Sequence, residues 1–208
     1  MAYIFLHGLG QESSSWDKML SCMQVWPEEI ICPNLQELLG NQKAEYPQLY
    51  GAFAGLCEAC LEPVHLCGLS LGAVLALNYT IDHPDRVKSL VLIGAQYQMP
   101  KRLLKLQNAI FRLLPKRSFQ RMGFSKKDII QLSQSMLALD FSQSMSCISC
   151  DTLVIYGEKD TAGKSAAQKA AALIPNAKLQ CMADTGHEVN VEAPRQLAEI
   201  LDDFYQEQ

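Results

Sequence analysis

The run Val64-His65-Leu66-Cys67-Gly68-Leu69-Ser70-Leu71-Gly72 reads as a strand, a G-x-S-x-G turn and the start of a helix. In that pattern a sharp turn lifts the serine above a sheet edge, and the flanking glycines let strand and helix pass without collision. The chemistry on offer is nucleophilic attack by the Ser70 hydroxyl. A serine hydroxyl is a poor nucleophile at its free pKa, so it needs a base within hydrogen-bond reach and a third group that fixes the tautomer of that base. Without such partners the same residues would be an ordinary glycine-rich turn.

Four histidines are available as the base. His187 stands in Asp184-Thr185-Gly186-His187-Glu188, after the final strand-like run and before the final helical one. That places it on a loop at the carboxyl edge of a parallel sheet, where catalytic groups of open α/β sheets gather. His65 lies inside the strand that carries the serine, and His83 ends the central helix just before Pro84; both read as structural. His7, in His7-Gly8-Leu9-Gly10, is suited to shaping a loop near the site. For the acid, Gly157-Glu158-Lys159-Asp160 directly follows an apolar strand. Asp160 is the choice and Glu158 its rival, with Asp184 and Glu188 read as surface charges beside the histidine.

A tetrahedral intermediate also needs two N–H donors for its oxyanion. The residue after the nucleophile, Leu71, supplies one from its backbone. The second is expected from the Gly-rich loop after the first strand, with the backbone N–H of Leu9 as the candidate.

Elements able to position these groups follow from periodicity. Short apolar runs near 2–6, 29–32, 64–68, 88–93, 152–156 and 178–182 alternate with longer helical patterns, the signature of a parallel sheet wrapped by helices. Leu90-Val91-Leu92-Ile93 and Leu153-Val154-Ile155-Tyr156 are continuously apolar, as strands covered on both faces are. Residues 71–79 are apolar on nearly every side, predicting a buried central helix. Pro194 starts a last helix whose apolar residues Leu197, Ile200, Leu201 and Phe204 recur at helical spacing. Between Ala95 and Cys150 the alternation stops; helical patches at Arg102 to Leu113 and Lys126 to Leu139 predict a helical lid.

The 208 residues suit one domain, and a net charge of −4 argues against a nucleic-acid partner. No apolar run approaches the length of a membrane span, and no secretion signal precedes the first strand. Eight cysteines without such a signal predict free thiols and a cytoplasmic location. The C-x-x-C spacings at Cys57–Cys60 and Cys147–Cys150 lie in or after helical patterns, so they read as structural thiols, and neither a metal nor a cofactor is expected.

The ordered set His7-Gly8-Leu9-Gly10, Gly68-Leu69-Ser70-Leu71-Gly72, His83-Pro84-Asp85-Arg86-Val87, Gly157-Glu158-Lys159-Asp160 and Gly186-His187-Glu188 resembles the α/β-hydrolase superfamily, in its small lidded branch of carboxylesterases, lactonases and carbon–carbon bond hydrolases. The resemblance covers nearly the whole chain. It implies a six-stranded, mostly parallel sheet in the order 2-1-3-4-5-6, trimmed of two strands that usually precede the oxyanion loop. It also implies a triad in the chain order Ser70, Asp160, His187, with a lid over 95–150 inserted in the single domain 1–208. The activity implied is hydrolysis of a small carboxylic ester or thioester through an acyl-enzyme on Ser70. A carbon–carbon bond hydrolase or menaquinone-pathway-like enzyme shares the same triad, and a signalling receptor could use the pocket to bind a small molecule. Lys101, Arg102, Lys105, Arg112, Lys116, Arg117 and Arg121 make the lid basic, read either as a solvated helix face or as steering for an anionic substrate.

Overall fold

The computed structural model of the protein describes residues 1–24, 29–99, 101, 104 and 124–207. Six strands, β1 (Ala2–Leu6), β2 (Glu29–Ile31), β3 (Val64–Leu69), β4 (Val87–Ile93), β5 (Asp151–Gly157) and β6 (Ala177–Met182), form one sheet in the order β2-β1-β3-β4-β5-β6. Every pairing is parallel. The expected order holds, and each expected strand is found within one residue at either end.

Side-chain alternation along the strands divides the core in two. Ile4, Leu6, Leu66, Leu90, Leu92 and Val154 face one layer, whereas Phe5, Cys67, Leu69, Val91, Ile93, Leu153 and Ile155 face the other. This period of two explains why β4 and β5 read as unbroken apolar runs: both of their faces are covered. The first layer is closed by α3 (Tyr46–Glu58), α4 (Leu71–Asp82) and α6 (Thr161–Leu173). In α4, Leu71 through Leu77 and then Tyr79 and Thr80 are all buried, as its all-round apolar sequence requires.

The opposite layer is closed by α1 (Asp17–Leu20) and α8 (Pro194–Gln206). Pro194 at the first turn of α8 removes an N–H that would have no partner there. Its buried stripe, Leu197, Leu201, Phe204 and Tyr205, contributes about 1.5–3 kcal/mol per large apolar side chain. A short α7 (Val189–Glu192) leads into it, and α2 (Leu35–Leu39) follows β2.

Between β4 and β5 the sequence carries no strand signal, yet residues 97–99 and 139–141 run side by side. Gln98 forms an antiparallel bridge with Asp140; Met99 N–H donates to Leu139 O at 3.1 Å and Phe141 N–H to Tyr97 O at 2.8 Å. The two ends of the insertion are thus pinned together by backbone bonds, which no periodicity of single residues would reveal. The second helical patch forms α5 (Lys126–Ser135), opened by a capping box between Ser125 and Asp128. The other patch, Arg102 to Leu113, lies outside the described residues except Leu104, as do Lys105, Lys116, Arg117 and Arg121.

All eight cysteines are free thiols. Cys57 lies in the last turn of α3, which ends at Glu58, and Cys60 lies just beyond it. Among the described residues no group of His, Cys, Asp and Glu side chains is placed to hold a metal ion, and no helix is long and apolar enough to cross a membrane.

Candidate active site

Ser70 joins β3 to α4 with φ 52° and ψ −111°, a conformation that a side chain disfavours and that costs on the order of 1–3 kcal/mol. Its N–H donates to Ile93 O at 2.8 Å, tying the turn to the neighbouring strand. The glycines of the motif have measurable reasons. A Cβ on Gly68 would stand 2.4 Å from the Gly72 backbone, and one on Gly72 would stand 2.2 Å from Leu6 O. Strand, helix and β1 therefore touch backbone to backbone around the serine.

The loop after β1 approaches the same point. A Cβ on Gly8 would lie 3.4 Å from the Ser70 Cβ. His7 is buried, its Nδ1 lies 2.9 Å from Gly8 O, and its Nε2 accepts the Leu35 N–H at 3.1 Å. Because Nε2 must accept, Nδ1 carries the proton and donates to Gly8 O. Burial lowers the His7 pKa, which keeps this neutral tautomer. His7 thus shapes the loop, as its sequence context predicts. Among the described residues, neither the Leu9 nor the Leu71 backbone N–H has an acceptor.

Asp160 and His187 are brought together at the carboxyl ends of β5 and β6. Nδ1 of His187 lies 2.6 Å from Asp160 Oδ2. A carboxylate only accepts, so Nδ1 donates and Nε2 is left as the basic nitrogen. The acid is the enclosed member of the pair: its side chain is 10% exposed, against 45% for the imidazole. The other Asp160 oxygen, Oδ1, caps α6 by accepting the Gly163 N–H at 2.9 Å. Glu158, the rival acid, is engaged elsewhere, its Oε2 accepting the Asp184 N–H at 3.0 Å. His65 and His83 stay away from this edge, the first bonded to Ser89 Oγ at 2.8 Å and the second packed at a tilt against the Tyr79 ring.

Ser70 and His187 meet through a common neighbour. Gly94, which follows Ile93 with φ 58°, lies beneath the imidazole: a Cβ there would be 2.8 Å from His187 Cε1 and 3.7 Å from Nε2. No hydrogen bond between Ser70 Oγ and His187 is present among the described residues.

Three supports of this pair were not anticipated from sequence. Gly94 leaves room for the ring. At Gly163 a Cβ would collide with Asp160 Oδ2 at 2.1 Å. Glu192 accepts the Gly186 N–H at 2.6 Å and the Glu188 N–H at 3.3 Å, holding the backbone on both sides of His187. The signal for Gly163 was present as a glycine three residues after a helix-capping aspartate. Gly94 and Glu192 offer no comparable pattern, because their contacts arise only when strands far apart in sequence pair.

A doubly wound, all-parallel sheet with a serine elbow between its central strand and a buried helix defines the α/β-hydrolase class of folds. The chain belongs to the alpha/beta hydrolase family, whose model matches residues 3–200. Human monoacylglycerol lipase ABHD6 is 23% identical over 97% of this chain and 74% of its own length. A putative 2-succinyl-6-hydroxy-2,4-cyclohexadiene-1-carboxylate synthase of Bacillus subtilis is 25% identical, covering 98% of this chain and 89% of its own. Among solved structures, a thermophilic esterase from Thermogutta terrifontis superposes with a TM-score of 0.79 at 18% identity, over 100% of this chain and 90% of its own. At that identity the superposition establishes the fold alone.

Proposed function

We propose that this protein is a serine hydrolase that cleaves a small carboxylic ester or thioester through an acyl-enzyme on Ser70, with Asp160 and His187 completing the triad. The observation that carries the reading is the 2.6 Å Asp160–His187 bond, formed at the sheet edge where the strained elbow presents Ser70. Nε2 of His187 takes the Ser70 Oγ proton as Oγ attacks the carbonyl carbon. The carbonyl oxygen becomes an oxyanion received by the N–H groups of Leu9 and Leu71. Collapse expels the alcohol or thiol, which takes the proton from His187; water then repeats the cycle and releases the acid. The Ser70–His187 bond forms as substrate docks, since catalytic hydrogen bonds commonly tighten only in the substrate complex.

The whole chain acts as one hydrolase domain in this reading. Residues 95–150 form its lid and set acyl specificity, with the paired segments 97–99 and 139–141 as the stem. Free thiols throughout fit a reducing, cytoplasmic location. The Bacillus subtilis relative, named as a synthase, favours a second reading in which the same triad serves a carbon–carbon bond hydrolase or menaquinone-pathway-like enzyme.

Turnover separates the two readings. p-Nitrophenyl esters from acetate to octanoate should be hydrolysed by the wild type and not by Ser70→Ala. Absence of ester turnover, with cleavage of an activated carbon–carbon bond intact, would favour the second.

A further inference from the structure

Gln11 and Asn190 lie 179 residues apart in sequence and are buried against each other. Their amides exchange hydrogen bonds: Gln11 Nε2 donates to Asn190 Oδ1 at 3.2 Å, and Asn190 Nδ2 donates to Gln11 Oε1 at 3.2 Å. Asn190 Nδ2 also donates to Ser15 O at 3.3 Å, and Gln11 Oε1 also accepts the Gly8 N–H at 3.4 Å. Two primary amides in a core are costly unless their polar atoms are used, and here they are. Stability alone does not call for such a pair, because two matched apolar side chains could fill the same volume at little cost.

What the pair does is join two catalytic loops. Gln11 lies in the loop that carries Gly8 and Leu9, and Asn190 lies three residues beyond His187. Gly8 is held on both of its polar groups: its N–H by Gln11 Oε1, its C=O by the His7 ring at 2.9 Å and by the Gln11 N–H at 3.2 Å. The Gly8–Leu9 peptide is planar and trans, so a carbonyl held toward His7 turns the Leu9 N–H to the opposite side. That N–H has no acceptor among the described residues.

We infer that the Gln11–Asn190 amide pair is a positioning device that fixes the Leu9 N–H as an oxyanion donor and keeps it in register with the His187 loop. The inference rests on the proposed serine hydrolase reading. It assigns neither amide a contact with substrate; both act through the Gly8–Leu9 peptide.

The test uses the full chain and the double variant Gln11→Leu/Asn190→Leu, which removes both amides together and avoids stranding one. Three quantities are read: kcat and KM on a short p-nitrophenyl ester, Tm, and the affinity for a trifluoromethyl ketone, whose adduct with Ser70 places an oxyanion in the hole. If the pair positions the Leu9 N–H, kcat falls 10- to 100-fold, KM stays within about threefold, and inhibitor affinity falls by the same factor as kcat. A merely structural pair would move Tm and leave the inhibitor affinity unchanged. If the double variant does not fold, Gln11→Asn, which keeps an amide but shortens its reach, carries the same expectation at about 10-fold. Wild-type kcat and inhibitor affinity in whichever variant folds would overturn the inference. A wild-type protein that fails to form the ketone adduct at Ser70 would instead overturn the serine hydrolase reading.

Discussion

Asp160 Oδ2 sits 2.6 Å from His187 Nδ1, and the same carboxylate caps the helix that follows it through Oδ1. One side chain therefore orients the His187 imidazole and starts an element of the fold. The two jobs respond differently to substitution. Asp160→Asn still accepts at the cap, so stability should change by less than about 1 kcal/mol. The amide cannot enforce the correct imidazole tautomer, and kcat should fall on the order of 10⁴. Glu158→Gln should stay within about 10-fold, because Glu158 bonds the Asp184 N–H and not the ring. Steady-state ester kinetics on the two variants decide; reversed magnitudes would move the acid to Glu158.

Glycines around the pair make a second, purely steric prediction. Gly163→Ala places a methyl 2.1 Å from Asp160 Oδ2, and Gly94→Ala places one 2.8 Å from His187 Cε1 at φ 58°. Either change must displace the acid or the base, and a displacement of about 1 Å costs on the order of 100-fold in kcat. Gly51→Ala in α3, where nothing lies within 4 Å of the added methyl, is the matched control and should leave kcat unchanged.

The elbow trades stability for exposure of its hydroxyl. Ser70→Gly should relieve the strain at φ 52°, whereas Ser70→Ala retains it. After allowance for the extra backbone entropy of glycine, Ser70→Gly should be more stable than Ser70→Ala by about 1 kcal/mol, with both inactive. Denaturant midpoints of the two variants test this; a less stable glycine variant would deny the strain.

Most of the scaffold was legible in the sequence because it is local. Strand bounds follow from runs such as Leu153 to Tyr156, and Ser70, Asp160 and His187 each lie beside a strand end or within a recognisable turn. What could not be read is what depends on pairing between distant segments. The 97–99/139–141 stem has no strand-like composition, and the Gln11–Asn190 pair is visible only once β1 and the last loop share an edge. Glu192 has the residue type of any surface carboxylate, and only its two N–H contacts distinguish it.

A pH prediction comes from the buried histidines His65 and His7. Burial, aided by the Lys88 and N-terminal charges, pushes the His65 pKa down to about 4, and burial also lowers that of His7. The His65 ring stays neutral in the folded protein down to about pH 4, whereas an unfolded histidine titrates near 6.5. Below that pH the unfolded chain binds more protons, so stability is full above about pH 6.5 and falls as pH drops toward 4. His65→Gln should flatten that decline by up to about 1.4 kcal/mol per pH unit, read from urea midpoints at several pH values. An unchanged slope would remove His65 from the account.

In the proposed mechanism Ser70 is a nucleophile activated by His187 and Asp160. Intact-mass measurement and peptide mapping after reaction with a fluorophosphonate read this at the residue itself. A single phosphonyl adduct is expected on Ser70 in the wild type, none in Ser70→Ala, and formation slowed by several orders of magnitude in His187→Ala. An adduct on another serine, or labelling of Ser70 at the wild-type rate without His187, would contradict it.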